Sequence, residues 1–172
     1  MNVLRYDSAF MNQGPPDAMS HILEHYAHSD FLLVILITML LILVTVLVHY
    51  EALRGITLLL ARPSHGPRQR IIYLVLGLNV LHTFEILVFA AGYKLLAMYD
   101  LGFLSDMPSE HFYYYFYYSA ITYTTLGFGD IIPLGPFKIL TAMEALMGLG
   151  FITWSASFTF LEMQKLWNLN RL

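Results

Sequence analysis

The sequence has 172 residues, contains no cysteine, and only 12% of its residues are charged. Without cysteine the chain forms no disulfide bond and no thiolate metal site, and its redox compartment stays undetermined. The formal net charge of −3 argues against a nucleic-acid partner, because nucleic-acid-binding domains carry basic patches. With so few charges and 58% hydrophobic residues, the composition is typical of an integral membrane protein.

Three further features are missing from the chain. The first 30 residues lack the basic start and short apolar core of a signal peptide, so we expect no cleavage. No apolar run carries an arginine at every third position, so we expect no voltage sensor. Only about nine residues follow Met163, so we expect no cytoplasmic ligand-binding domain. The gating stimulus therefore stays open.

Long apolar runs predict an all-α membrane protein with three transmembrane helices. Residues 31–49 form the first span, and their helix is expected to continue to about residue 60. Residues 71–98 and 138–163 form the second and third spans. The aromatic run 111–124, which we expect Ser109 to cap, is too short to cross a membrane. This order predicts a re-entrant pore helix between the second and third spans.

A glycine-bearing run follows the short helix directly. It reads Thr124, Thr125, Leu126, Gly127, Phe128, Gly129 and Asp130. A K⁺ ion leaves water only where successive carbonyl oxygens replace its hydration shell. A loop whose carbonyls all face one axis needs alternate residues in the left-handed backbone region, which glycine adopts easily. Gly127 and Gly129 alternate accordingly, the Thr125 hydroxyl adds an oxygen at the inner end, and Leu126 and Phe128 are expected to point into the surrounding protein.

The run from Thr125 to Asp130 resembles the Thr-Val-Gly-Tyr-Gly-Asp signature of the potassium-channel pore family, with Leu for Val and Phe for Tyr. The resemblance covers roughly residues 71–167. The order of helices is similar to that of short prokaryotic-type channels, with one extra amino-terminal span. It implies a potassium-selective channel in a lipid bilayer that conducts monovalent cations passively and is not an enzyme. K⁺ ions in the filter are expected, and no organic cofactor.

The number of filter runs bears on assembly and on the competing interpretations. A filter of this family needs four loops around one axis, and the sequence contains one, so a fourfold homotetramer is implied. A weakly selective Na⁺/K⁺ channel is the nearer alternative, because Leu126 and Phe128 pack differently from Val and Tyr. A membrane metal-binding protein is the more distant one.

The resemblance assigns roles to residues around the filter. The ion-binding residues are Thr125, Leu126, Gly127, Phe128 and Gly129, and the supporting residues are Thr124, Asp130, Tyr117 and Tyr118. The hydroxyl of Tyr117, or else that of Tyr118, is expected to hold Asp130. Ile121 replaces a pore-helix glutamate found in some relatives, and Phe128 lacks the phenol that braces many filters. We therefore hypothesise that the filter itself acts as a gate.

The last span carries two glycines and two polar stripes. Gly148 and Gly150 are expected to form a hinge that opens the pore, and the alternative is that they allow close helix packing. Thr153, Ser157 and Leu161 recur at helical spacing and are predicted to line the inner cavity. Ser155 and Thr159 form the alternative polar stripe.

Ionisable residues at two places are candidate sensors or metal ligands. His82 and Glu85 lie one turn apart inside the second span, where they could sense a ligand or protons, or where Glu85 could simply be hydrogen-bonded. Glu144 in the last span is expected to have a structural role behind the pore helix. His21, His25 and His28 share one helical face and could bind Zn²⁺, although a solvated surface helix is the alternative.

The chain divides into four predicted segments. Residues 1–30 form an extracytoplasmic segment, 31–70 the first span with a basic cytoplasmic loop, 71–167 the pore domain, and 168–172 a short cytoplasmic tail. Four arginines crowd the loop after the first span, which the positive-inside rule places in the cytoplasm. The amino terminus is then outside the cell (inner) membrane and the carboxyl terminus is cytoplasmic.

Overall fold

The computed structural model describes residues 28–60, 66–107 and 111–169. Within these residues the elements are α1 (His28–Leu60), α2 (Pro67–Met98), β1 (Phe103–Ser105), α3 (Phe112–Tyr123), β2 (Ile132–Leu134) and α4 (Phe137–Leu169). The three helices α1, α2 and α4 are long and apolar enough to cross a membrane, whereas α3 has 12 residues and is too short. The predicted class, an all-α membrane protein with three spans and a short helix before the third, is confirmed.

The helix ends differ from the predicted ones by a few residues. The second spanning helix begins at Pro67, where proline is well tolerated because the first N–H groups of a helix have no partner within it. The last helix continues to Leu169, beyond its predicted end. The cap of α3 is His111 rather than Ser109, which lies outside the described residues.

A two-stranded antiparallel sheet flanks α3 and the glycine-bearing run. Phe103 lies opposite Leu134, and Ser105 opposite Ile132. Because β1 precedes α3 and β2 follows the glycine-bearing run, the pairing joins the two ends of the segment that contains both. The sequence did not predict these strands, since three residues are too few to show an alternating pattern.

The short helix α3 is held between the two spanning helices that flank it in the chain. It packs against α2 and α4, and α1 packs against both of these helices from the outside. The shared core consists of apolar and aromatic side chains: Val34, Phe89, Tyr93, Leu96, Tyr115, Tyr118, Phe137, Leu140 and Phe151. Leucines such as Leu36 and Leu40 on the outer face of α1 are exposed, as expected of a surface that faces lipid. This packing fixes the position of residues 124–130.

Candidate functional site

Residues 124–130 fold back against the carboxyl end of α3. The N–H groups of Thr125, Leu126 and Gly127 donate to carbonyls in the last turn of that helix, at distances of 2.9 to 3.1 Å. In a trans peptide, the C=O of one residue points away from the N–H of the next. The carbonyls of Thr124, Thr125 and Leu126 therefore point away from α3.

The backbone of this loop alternates in handedness. Thr125 has a φ of 58°, Gly127 of 52° and Gly129 of 78°. The two glycines are the positions where the sequence predicts left-handed backbone, and Thr125 is an addition. A β-branched residue with this φ is a conformational outlier that persists only where its surroundings enforce it. The hydrogen bonds to α3 supply that enforcement.

A side chain of α3 also holds the far end of the loop. The phenol of Tyr117 donates a hydrogen bond of 2.9 Å to the carboxylate of Asp130, which is the expected contact. That hydrogen bond raises the pKa of Tyr117. A phenol is protonated at neutral pH even without such a shift, so Tyr117 is a donor there. The hydroxyl of Tyr118 instead contacts that of Thr141, at 2.9 Å. Ile121, which stands in for a glutamate of some relatives, is buried and supports the loop through its backbone carbonyl.

The side chains of Leu126 and Phe128 are not covered by their own chain. They are 58% and 66% exposed, so the expectation that they point into surrounding protein is not met within one chain. The physical reason is that residues 124–130 all lie exposed at the surface of the chain. Beside it runs an open groove of about 350 Å³, whose lining includes Gly127, Gly129 and Ala145.

Behind α3, the buried Glu144 connects three helices. Its carboxylate accepts hydrogen bonds from Ser119 on α3 and from Tyr93 on α2, the latter at 2.7 Å. Ser119 also contacts the carbonyl of Ile86, at 2.9 Å. All the polar groups of this junction are thus partnered, as burial requires. The contacts agree with the structural role expected for Glu144.

A second polar cluster lies beneath the end of α3 and is formed by His49, His82, Glu85 and Tyr123. Nδ1 of His49 is 2.8 Å from one carboxylate oxygen of Glu85, and Nδ1 of His82 is 3.1 Å from the other. The hydroxyl of Tyr123 donates to Glu85 and lies 2.8 Å from Nδ1 of His82. We call these four residues the His-Glu-Tyr cluster.

Sequence reasoning paired His82 with Glu85 but missed two members of the His-Glu-Tyr cluster. His49 lies at the end of the first apolar run, and a polar residue there is equally compatible with a membrane boundary. Tyr123 is one of several tyrosines in α3. Only the packing of α1 and of α3 against α2 and α4 shows that both are buried beside Glu85.

The two glycines of α4 differ in their surroundings. The helix runs without interruption through both, and a Cβ added to Gly148 would lie 2.1 Å from the backbone oxygen of Tyr123. Among the described residues, no atom outside the helix lies within 4 Å of a Cβ added to Gly150. Gly148 thus permits close contact between α4 and the end of α3, which favours the packing alternative over the hinge at that position.

The two polar stripes of α4 face opposite ways. Ser155 is buried and Thr159 is half-buried, whereas Thr153, Ser157 and Leu161 are exposed. The hydroxyls of Thr153 and Ser157 each donate to a carbonyl one turn earlier, at 3.0 Å. The predicted cavity stripe therefore lies on the face of α4 that its own chain leaves open.

Most of the predicted histidine site near the amino terminus lies outside the described residues. His21 and His25 precede the described residues, and His28 is described only as the first residue of α1.

Part of the chain matches a known protein family. Residues 81–165, which include α3, the loop and most of α4, match the family described as "Ion channel". The resemblance of the filter run to a channel family is thereby confirmed, and the match covers about half of the chain. No curated protein and no solved structure matches the chain.

This family match, together with the three apolar helices, supports an integral membrane protein that handles ions. The match begins inside α2, so α1 and the first part of α2 lie outside it.

Proposed function

We propose that four copies of this chain form a potassium channel, in which carbonyls of Thr125, Leu126, Gly127 and Phe128 replace the hydration shell of K⁺. The observation that carries the proposal is the set of N–H groups that donate to the end of α3 and turn the preceding carbonyls away from it. Successive carbonyl oxygens of this kind are the ligands of potassium filters. Conduction is passive and involves no covalent chemistry and no organic cofactor.

The end of α3 adds an electrostatic argument for cations. The carboxyl terminus of a helix carries a partial negative charge within its last turn. Here that turn is in direct contact with the loop, because it accepts the loop's N–H groups. The Thr125 hydroxyl and the Asp130 carboxylate add further oxygens at the two ends of the run. A cation is therefore favoured over an anion at this position.

Two observations support assembly as a homotetramer. One chain contributes a single filter run, whereas a cage of carbonyls around one axis needs several. The exposed side chains of Leu126 and Phe128 and the groove beside them need a covering surface in a membrane protein of this kind. Neighbouring subunits supply that surface in the proposed assembly.

The distribution of basic residues supports an orientation. Arg54, Arg62, Arg68 and Arg70 lie around the connection between α1 and α2, and Lys165 lies near the end of α4. Short loops rich in arginine and lysine stay in the cytoplasm. The proposed channel therefore has its amino terminus outside and its filter loop facing outward, in the cell membrane.

Ion flux into liposomes tests the proposed function. Purified wild-type protein is expected to carry K⁺ and to exclude Na⁺, while Gly127→Ala is expected to lose flux because alanine is strained at a φ of 52°. Gly55→Ala in α1 is the matched control, since an added Cβ there meets no atom of the described residues within 4 Å. Equal flux in wild type and Gly127→Ala would refute the filter assignment, and equal K⁺ and Na⁺ flux in wild type would favour the weakly selective channel.

A further inference from the structure

Three members of the His-Glu-Tyr cluster carry side chains that are common metal ligands. His49 comes from α1, and His82 and Glu85 come from one face of α2. One donor atom from each of the three lies within 4.8 Å of the others. We propose that His49, His82 and Glu85 form a binding site for a divalent transition-metal ion, with Zn²⁺ as the best match.

The donor set favours this class of ion over other cations. Two imidazole nitrogens and one carboxylate oxygen are a common set of ligands for Zn²⁺, whereas Ca²⁺ and Mg²⁺ prefer oxygen ligands alone. His82 and Glu85 are three residues apart on a helix, so both project from the same face. Paired histidine and glutamate residues at this spacing also supply metal ligands in helical bundles.

The distances require only small side-chain movements. With metal–ligand bonds of about 2.0 to 2.1 Å, the ligand atoms of a tetrahedral site lie about 3.3 Å apart. His49 is 2.8 Å from Glu85, and His82 is 3.1 Å from it, so both imidazoles already contact the carboxylate. Insertion of the ion replaces these hydrogen bonds with bonds to the metal and draws the two imidazoles together.

The surroundings of His49 indicate a prepared site. Its ring stacks on Phe151 with centroids 4.7 Å apart and lies 5.0 Å from the ring of Trp154, so its position is fixed by packing. Its side chain is fully buried, yet its Nε2 atom has no hydrogen-bond partner among the described residues. Nε2 lies on the opposite edge of the ring from Nδ1, which faces Glu85, so Nδ1 is the atom that binds the ion and Nε2 lies outside the site.

Tyr123 and the exposure of His82 also suit a bound metal ion. Tyr123 donates a hydrogen bond to Glu85 and so orients its carboxylate, as polar neighbours of metal ligands commonly do. The side chain of His82 is 19% exposed, whereas those of His49 and Glu85 are fully buried. His82 thus provides the side from which an ion enters.

Metal binding to the purified, detergent-solubilised protein tests this proposal independently of conduction, so its result is separate from that for the filter. The three amino-terminal histidines are first replaced by alanine, because His21, His25 and His28 could bind Zn²⁺ by themselves. This parent protein is expected to bind one Zn²⁺ per subunit in equilibrium dialysis at micromolar free Zn²⁺. His49→Gln and Glu85→Gln are expected to weaken binding at least about 10-fold, a loss known even for neighbours of metal ligands.

His111→Gln, which changes an exposed histidine outside the cluster, is the matched control and is expected to bind like the parent. Absence of Zn²⁺ from the parent protein, or equal binding in Glu85→Gln, would overturn the proposal. Because a buried substitution can disturb folding, the parent protein is also loaded with Co²⁺. A four-coordinate absorption spectrum supports the site, and a six-coordinate spectrum would contradict it.

Discussion

At the scale of single residues, the proposed filter loop depends on backbone conformation more than on side chains. The left-handed backbone at Gly127 and Gly129 could be predicted, because glycine is the residue that adopts it at no steric cost. The same conformation at Thr125 could not, since threonine disfavours it by about 1 to 3 kcal/mol. The contact with α3 imposes this conformation on Thr125, and such a contact is not visible in the sequence.

The contact between Tyr117 and Asp130 leads to a prediction about the stability of the conducting state. Tyr117→Phe removes the only hydrogen bond recorded for Asp130 among the described residues, so current is expected to decline faster during sustained recording. Tyr113→Phe is the control, because that tyrosine lies on the same helix and is 65% exposed. Equal rates of decline in the two variants would contradict a bracing role.

The hypothesis that the filter acts as a gate predicts the opposite effect at Phe128. Phe128→Tyr adds a phenol where many relatives carry one, and an added hydrogen bond is expected to slow the decline of current. The measurement is the time course of macroscopic current in wild type and variant. Unchanged kinetics would argue against gating at the filter.

At the scale of helices and strands, the apolar runs predicted the four helices of the described residues. A membrane span must be long and apolar, whereas a re-entrant pore helix must be short. The β1–β2 pair and the exact helix ends were not predictable, since they depend on contacts between distant parts of the chain. The same reason explains why His49 was missed as a neighbour of Glu85. Which helices pack together is a property of the fold.

The junction of α4 with α3 gives a prediction that separates the two glycines. Gly148→Ala is expected to lower the stability of the folded channel by about 1 to 3 kcal/mol, because its methyl group would overlap the backbone of Tyr123. Gly150→Ala is expected to leave stability unchanged or to raise it by up to about 1 kcal/mol, since alanine favours the helix. Thermal unfolding midpoints in detergent compare the two. Equal midpoints would contradict the packing role of Gly148.

At the scale of the whole molecule, one chain leaves the surface around its proposed filter loop uncovered. Leu126 and Phe128 are more than half exposed, and the face of α4 that bears Thr153 and Ser157 is open. A single chain cannot enclose an ion in a ring of carbonyls, so in the proposed tetramer these surfaces become a lining and an interface.

Assembly therefore gives a prediction with a matched control. Leu126→Asn is expected to reduce the fraction of tetramer, because it places a polar amide in the proposed interface. Leu36→Asn on the outer face of α1 is expected to leave that fraction unchanged, although Leu36 is at least as exposed, at 67% against 58%. Native mass spectrometry measures the fraction. Equal loss in both variants would contradict an interface at the filter.

The absence of cysteine makes the proposed orientation directly testable, since any introduced cysteine is unique. Ser20→Cys is expected to react with a membrane-impermeant thiol reagent on intact cells. Ser64→Cys, in the arginine-rich loop, is expected to react only after the membrane is permeabilised. The reverse pattern would contradict an outside amino terminus.

The reversal potential of the wild-type channel, with K⁺ on one side of a planar bilayer and Na⁺ on the other, tests the central claim most directly. If the carbonyls of residues 125–128 replace the hydration shell of K⁺, the potential is displaced strongly in the direction set by K⁺ permeability. A reversal potential near zero would show that Na⁺ and K⁺ pass almost equally, and would contradict the assignment of this loop as a potassium filter.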